Sequence, residues 1–168
     1  MIPTLSSPEL ILRAPRESDF CVYQAFFCDA QASHFYGGPL SATNAWKQLA
    51  MDLGHWHLKG YGVWVIESKE TGEVLGGCGF WWPNAWPRPE LTWWLATAAR
   101  GRGIATKASK LAIDFAYNQL QWQHVETHLR DDNEAARQLV IRLGGEVIAR
   151  EAFPDGVDRN VYVIPQQG

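Results

Sequence analysis

The chain has 168 residues, of which 46% are hydrophobic and 20% charged, and its formal net charge is −3. This length predicts a single domain spanning residues 1–168, and the composition excludes a disordered chain. Without a basic excess or a long apolar run, we expect neither nucleic acid nor a membrane as a partner. The three cysteines form no CxxC pair, which favours reduced thiols in a cytoplasmic protein.

The hydrophobic periodicity changes repeatedly along the chain and predicts alternating strands and helices. In chain order these are a strand at 9–13, helices at 17–28 and 42–58, strands at 61–67, 73–80 and 90–95, a helix from residue 104, a strand at 124–130, a helix at 133–143, and a hairpin of strands at 146–153 and 159–164. This order is typical of one mixed α/β domain built on a central sheet.

A glycine-rich turn between the strand at 90–95 and the following helix is the most informative segment. Gly101 and Gly103 permit positive φ and close approach of the backbone to a bound group. Free N–H groups at a helix N-terminus favour a phosphate or pyrophosphate, and Arg100 and Arg102 add positive charge. The turn is not a Walker A loop, and Thr106 stands where a dinucleotide fingerprint needs glycine. An ordinary strand–helix turn is the alternative.

The turn and its surroundings resemble the GNAT N-acetyltransferase superfamily. Residues 100–105 (RGRGIA) fit R/Q-x-x-G-x-G/A, the acyl-CoA pyrophosphate loop of that superfamily. The strand at 90–95, the segment 132–144, and residues 12–13 followed by 17–19 are similar to the branch that acetylates the N-termini of ribosomal proteins. The resemblance covers essentially the whole chain. It implies a mixed, mostly antiparallel sheet with a splayed parallel pair of strands and helices on both faces.

The same resemblance implies a reaction and its co-substrate. An acetyl group would pass directly from acetyl-CoA to the primary amine of a small molecule or a peptide N-terminus, in a ternary complex and without a metal. The pyrophosphate would lie on the glycine turn and the pantetheine arm along the preceding strand. The residues that the resemblance assigns to the co-substrate are Trp94, Leu95, Ala96, Arg100, Gly101, Arg102, Gly103, Ile104, Ala105, Thr106 and Asn133.

Glu90 is the predicted general base. The acceptor amine is protonated at neutral pH and must lose a proton before it attacks. Glu90 opens the strand beside the implied acyl site, relatives often carry a glutamate there, and aromatic neighbours favour a raised pKa. Asn133 is the second predicted catalytic residue, through its side-chain amide. The alternative for Glu90 is a solvent-facing carboxylate paired with Arg88.

The next strand and helix hold further candidates and two departures from the family pattern. His124, Glu126 and His128 share one strand face, and Glu126 or His128 could act through water, although a half-buried or surface role is the expectation. Val140 stands where many relatives have a proton-donating tyrosine, and Ala136 where the branch often has serine. No side-chain acid is therefore evident. A non-catalytic acyl-CoA-binding or interaction module stays open as the alternative function, as does a protein that binds ATP or NAD at the turn.

Five of the nine tryptophans fall between positions 81 and 94. Within the strand, Trp93 and Trp94 should point to opposite faces, one of them toward a helix. The others sit beside prolines and predict an aromatic wall for a flat, apolar or cationic amine, with a dimer interface as the rival use. The chain is therefore expected to be a monomer or a homodimer. The predicted acceptor-binding residues are His34, Tyr36, Trp81, Trp82 and Trp86.

Overall fold

Two antiparallel sheets and four α-helices make up the computed structural model, which describes residues 1–168. The first sheet has five strands in the order β1-β2-β3-β4-β5, and the second has three in the order β6-β8-β7. The elements are β1 (Leu5–Ser6), β2 (Leu10–Arg13), α1 (Phe20–Phe27), α2 (Ala42–Lys59), β3 (Val63–Ser68), β4 (Val74–Trp81), β5 (Glu90–Leu95), α3 (Ile104–Asn118), β6 (Val125–Arg130), α4 (Glu134–Arg142), β7 (Glu146–Glu151) and β8 (Arg159–Ile164).

The predicted elements are all present, with differences at their ends. The helix expected from residue 17 begins as a 3-10 turn, Glu17–Asp19, and becomes α-helical only at Phe20. Asp19 explains the turn, because its buried carboxylate accepts hydrogen bonds from the backbone N–H of Arg16 at 2.9 Å and from the guanidinium of Arg13 at 2.8 Å. The two-residue strand β1 was not predicted, since so short an element has no periodicity.

The helices lie on both faces of the sheets, as expected. The larger core joins α3 and α4 to the sheets and contains Trp64. A smaller cluster joins α1 and α2 to the opposite face of the first sheet and contains Val65. Trp94 belongs to this smaller cluster and Trp93 packs on the larger one, which confirms the predicted alternation. None of the helices combines the length and the apolar character that crossing a membrane would take.

Strand β5 is held closely against β4 by glycines. A Cβ atom at Gly76 would lie 2.0 Å from the carbonyl oxygen of Trp94, and one at Gly77 would lie 2.4 Å from Nε1 of the same residue. Only glycine, which has no side chain, leaves room at these two positions for both the Trp94 indole and the hydrogen bonds between β4 and β5. The close packing fixes the position of β5, from which the functional groups described below extend.

The other edge of β5 has no strand paired to it. Strand β6 follows through the crossover helix α3 and lies beside β5, but the two belong to different sheets. Side chains join them at two places: Thr127 Oγ1 donates to the carbonyl oxygen of Leu91 at 2.8 Å, and Nδ1 of His128 lies 2.5 Å from Oε2 of Glu90. The strands therefore separate along their length and leave a cleft at the junction of the two sheets.

Candidate active site

The turn before α3 presents free backbone donors. Gly101 and Gly103 have φ of +76° and +72°, and Gly103 is the N-cap of the helix. None of the N–H groups from Gly101 to Thr106 donates to an acceptor within the protein. A Cβ atom at either glycine would meet nothing within 4 Å, so the turn faces open space. Such a helix N-terminus is a binding site for an anion such as a phosphate.

Two arginines flank this turn. Arg100 and Arg102 are exposed, and neither pairs with a carboxylate. Lys107, one turn into the helix, is instead bound to Glu9 at 2.7 Å. The two free guanidinium groups therefore add positive charge where the unpaired N–H groups point.

The open edge of β5 differs in detail from the predicted set of residues. Trp94 pairs with Gly77 in the ladder, and its indole is buried among the α1 aromatic rings. The N–H of Ala96 donates to the carbonyl oxygen of Leu75 at 2.8 Å. Because backbone groups alternate along an antiparallel strand, Trp93 and Leu95 present theirs to the cleft. Of Trp94, Leu95 and Ala96, the three residues predicted here, Leu95 turns its backbone groups toward the open edge. Trp93, which was not in the predicted set, does so as well.

Glu90 lies in a buried hydrogen-bonded network. Its Oε1 accepts from Nε1 of Trp81 at 2.9 Å, and its Oε2 lies 2.5 Å from Nδ1 of His128. The side chains of Glu90 and His128 are only 10% and 2% exposed. Arg88 does not pair with Glu90, but binds Glu126 at 2.8 Å and Glu151 at 2.6 Å.

The geometry determines where His128 can exchange a proton. A carboxylate only accepts hydrogen bonds, so Nδ1 of His128 must carry the hydrogen that lies toward Glu90. The other ring nitrogen, Nε2, is buried and has no hydrogen-bond partner within the protein. The neutral imidazole therefore has its free lone pair at Nε2, and the carboxylate at Nδ1 stabilises the ring when Nε2 takes up a proton. This pair can act as a general base.

The three candidates expected on one face of the sixth strand have different surroundings. His124 is exposed and lies just before β6, and Glu126 is engaged by Arg88. His128 alone is buried beside Glu90, where its ring packs 4.4 Å from that of Phe153. No three His, Cys, Asp or Glu side chains come together as a metal site.

A cavity of roughly 360 Å³ lies between the first loop, β5 and β6. Glu90 and His128 line it, and so do three of the five predicted acceptor-binding residues, namely Tyr36, Trp81 and Trp86. The Tyr36 hydroxyl donates to the carbonyl oxygen of Trp93 at 2.5 Å, which closes the first loop over the edge of β5. Burial raises the pKa of Tyr36, so the hydroxyl stays protonated.

The other two predicted acceptor residues lie outside this cavity. Trp82 donates from Nε1 to the carbonyl oxygen of Trp86 at 2.7 Å, and the ammonium group of Lys59 lies 4.4 Å above its ring. His34 is exposed and packs against Phe35 at 4.8 Å between ring centroids. Both side chains support neighbouring residues of their loops.

Asn133 lies in the cavity wall and also begins α4. Its side-chain oxygen accepts from the backbone N–H of Ala136 at 3.3 Å, as an N-cap does. The capping bond orients the side chain and leaves its NH₂ group without a partner in the protein. Val140, where relatives have a tyrosine, is fully buried in the larger core.

Asp52 also lines the cavity and was not among the predicted site residues. It is 3% exposed, and its oxygens accept from the Tyr23 hydroxyl at 2.6 Å and from Nε2 of Gln48 at 3.1 Å. Burial raises its pKa to about 7. A signal was present in the sequence, because Asp52 follows Ala45 and Leu49 along the buried face of α2 at helical spacing.

Known proteins resemble this chain in sequence and in fold. The family model of an acetyltransferase (GNAT) domain matches residues 9–146. The crystal structure of an acetyltransferase from Agrobacterium tumefaciens is 31% identical, with a TM-score of 0.90 over 99% of this chain and 96% of that one. The uncharacterized protein YkkB of Bacillus subtilis is 30% identical over 90 residues, about half of either protein (51% of this chain, 52% of YkkB). A RimL ribosomal L7/L12 α-N-protein acetyltransferase in complex with coenzyme A shares the fold, with a TM-score of 0.76 at 17% identity over 99% of this chain and 100% of RimL.

Proposed function

The chain belongs to the GNAT acetyltransferase family, and from this premise we propose that it transfers an acetyl group from acetyl-CoA to a primary amine. The acceptor is a small molecule or a peptide N-terminus. The observation that carries the proposal is the buried Glu90–His128 pair, which lines a cavity beside the open edge of β5 and leaves Nε2 of His128 without a partner in the protein. A base in this position suits the removal of a proton from an amine that enters the cavity.

The residues present fit the co-substrate. The free N–H groups from Gly101 to Thr106, with Arg100 and Arg102 beside them, suit a pyrophosphate. The N–H of Trp93 and the backbone groups of Leu95 suit the amides of an extended pantetheine arm along the cleft. The RimL structure with coenzyme A supports the same use of this fold. When bound, acetyl-CoA supplies a thioester carbon that an amine can attack.

Within this chain, His128 is the proposed catalytic base and Glu90 a positioning residue. Both Glu90 oxygens already accept hydrogen bonds, so we assign proton uptake to Nε2 of His128. The proton of the attacking amine passes to Nε2, and Glu90 stabilises the resulting imidazolium. As the new C–N bond forms, the C–S bond breaks and the sulfur leaves as a thiolate. The second proton, which the amine nitrogen loses as it becomes an amide, passes through water to the thiolate, since Val140 has no proton to give.

The experiment is a turnover assay that follows the free thiol of CoA over a panel of amines. His128→Gln should lower kcat by roughly 100-fold or more, the usual contribution of a general base. His124→Gln is the matched control, because His124 is exposed and lies outside the cavity. Glu90→Gln should lower kcat and also change the pH–rate profile, which loss of packing alone would not do.

Two outcomes would contradict the proposal. Equal activity of His128→Gln and His124→Gln would remove His128 from the chemistry. Binding of acetyl-CoA with no turnover on any amine would favour the non-catalytic acyl-CoA-binding module.

A further inference from the structure

One carboxyl group in the cavity has no partner of opposite charge. Glu90 faces His128 at 2.5 Å, and Asp155 faces Arg159 at 2.6 Å. The remaining cation of the wall, Arg130, binds Asp132 at 3.1 Å. Asp52 differs from the other charged residues of the wall, because its partners, Tyr23 and Gln48, are both neutral.

Asp52 lies toward the other end of the cavity from the base. Glu90 and Trp94 point to the same face of β5 and are four residues apart, which is a separation of roughly 13 Å along the strand. Asp52 belongs with the Trp94 end, because it accepts from the hydroxyl of Tyr23, whose ring packs 4.9 Å from the Trp94 indole. The cavity thus has a proton-accepting group near one end and a buried carboxyl near the other.

The aromatic residues of the cavity wall suit a cation. Trp81, Trp86 and Phe35 line it, and aromatic faces attract ammonium groups. A carboxylate that is buried without a countercharge is unfavourable, so a cation beside it is strongly stabilised. At the catalytic end, Nε2 of His128 is a further buried polar atom without a partner in the protein.

We propose that Asp52 forms a cation subsite and that the preferred acceptors are small diamines, which carry a second cationic group besides the amine that reacts. This inference rests on the proposed function. The reacting nitrogen lies at Nε2 of His128, the aromatic residues pack along the connecting chain, and the second ammonium donates to the Asp52 carboxylate. Asp52 acts here as a specificity determinant, since it does not touch the reacting atoms.

The test compares three matched series of acceptors in the thiol-release assay: α,ω-diamines, amino alcohols and n-alkylamines. Chain lengths of roughly four to ten carbons cover the span of roughly 13 Å along β5. At pH 8, wild-type kcat/KM should be at least roughly tenfold higher for the best diamine than for either matched compound, because a buried charge pair is made only with the diamine. The amino alcohol isolates the second charge without any change to the protein.

Asp52→Asn keeps the shape and hydrogen-bonding capacity of the side chain but removes its charge. It should abolish the preference for diamines over the matched amino alcohols and n-alkylamines. Asp158→Asn is the control, since Asp158 is exposed and does not line the cavity.

The outcomes separate this inference from the proposed function. Turnover of alkylamines with no advantage for diamines, or an advantage that survives Asp52→Asn, would overturn the subsite alone. Absence of turnover with every amine would overturn the proposed function, and the subsite with it.

Discussion

The buried carboxyl of Asp52 makes the stability of the protein depend on pH. Its pKa is about 7 in the folded protein, against an ordinary value of 3.8, because burial disfavours the charged form. Between these values the unfolded chain releases a proton that the folded protein keeps. The free energy of unfolding therefore falls as the pH rises from about 4 to about 7.

Asp52→Asn removes this titration and should change the pH dependence of Tm. The Tm of the variant relative to wild type should rise by roughly 5 °C between pH 5 and pH 8. Thermal unfolding followed by circular dichroism measures it, with Asp158→Asn as the control. A constant difference in Tm across this pH range would show that Asp52 is ionised in the folded protein throughout.

Single residues also show what the sequence could predict about the site. Glu90 could be selected because it opens a strand next to a recognisable loop. The role of His128 could not be weighed from the sequence, since its contact with Glu90 crosses the cleft between the two sheets and 38 positions of chain (128 − 90). Strand periodicity indicates which face a residue occupies, but not what lies opposite in another sheet. In the same way, only the tertiary packing shows that Asp52 has no partner of opposite charge.

At the scale of secondary-structure elements, the side chain of His55 connects helix α2 to the tryptophan loop, residues 82–89. Its Nε2 accepts from the backbone N–H of Trp82 at 2.7 Å, and its Nδ1 lies 2.7 Å from the carbonyl oxygen of Tyr61. The two contacts together require a neutral ring with its hydrogen on Nδ1. Burial lowers the pKa of His55 below its ordinary 6.5, which agrees with the neutral form. Nε2 of neutral His55 is thus the hydrogen-bond acceptor that fixes the loop carrying Trp86. Protonation of this nitrogen in acid would break the bond.

We expect the amide of Trp82 to lose protection from hydrogen exchange in acid. Below pH 6.5 the unfolded state binds a proton that folded His55 does not, so the stability that depends on neutral His55 is lost as the pH falls. The protection factor of Trp82 should fall by roughly tenfold between pH 7 and pH 5, a change of one hydrogen bond. The Leu143 amide, which donates to the Leu139 carbonyl oxygen in α4 and not in this loop, is the internal control. A protection factor that does not change with pH would show that His55 does not hold the loop.

The elements themselves could be predicted from the sequence because their signals are local. Strand β5 was predicted with the bounds Glu90–Leu95 that the structure has, since an aromatic and β-branched run follows a proline loop. The family resemblance predicts one sheet with a splayed pair of strands, whereas the structure has two sheets that separate between β5 and β6. Periodicity identifies strands but does not show which edges stay unpaired, and the cleft beside β5 is formed by such an edge.

At the scale of the whole molecule, three features lie along the same cleft. The α3 turn offers free N–H groups, the β5 edge offers unpaired backbone groups, and the Glu90–His128 pair lies at the start of the same strand. We propose that an anionic, extended thioester and an amine meet there. The proposed acetyl transfer therefore depends on acetyl-CoA as the ligand of the turn.

Isothermal titration of the protein with acetyl-CoA, CoA and ATP in parallel tests this dependence most directly. We expect acetyl-CoA and CoA to bind with a Kd below roughly 1 mM, within the ordinary range for enzyme substrates, and ATP to give no comparable heat. Preferential binding of ATP, or no binding of either CoA species, would contradict the account, because the turn before α3 would then hold a different ligand or none.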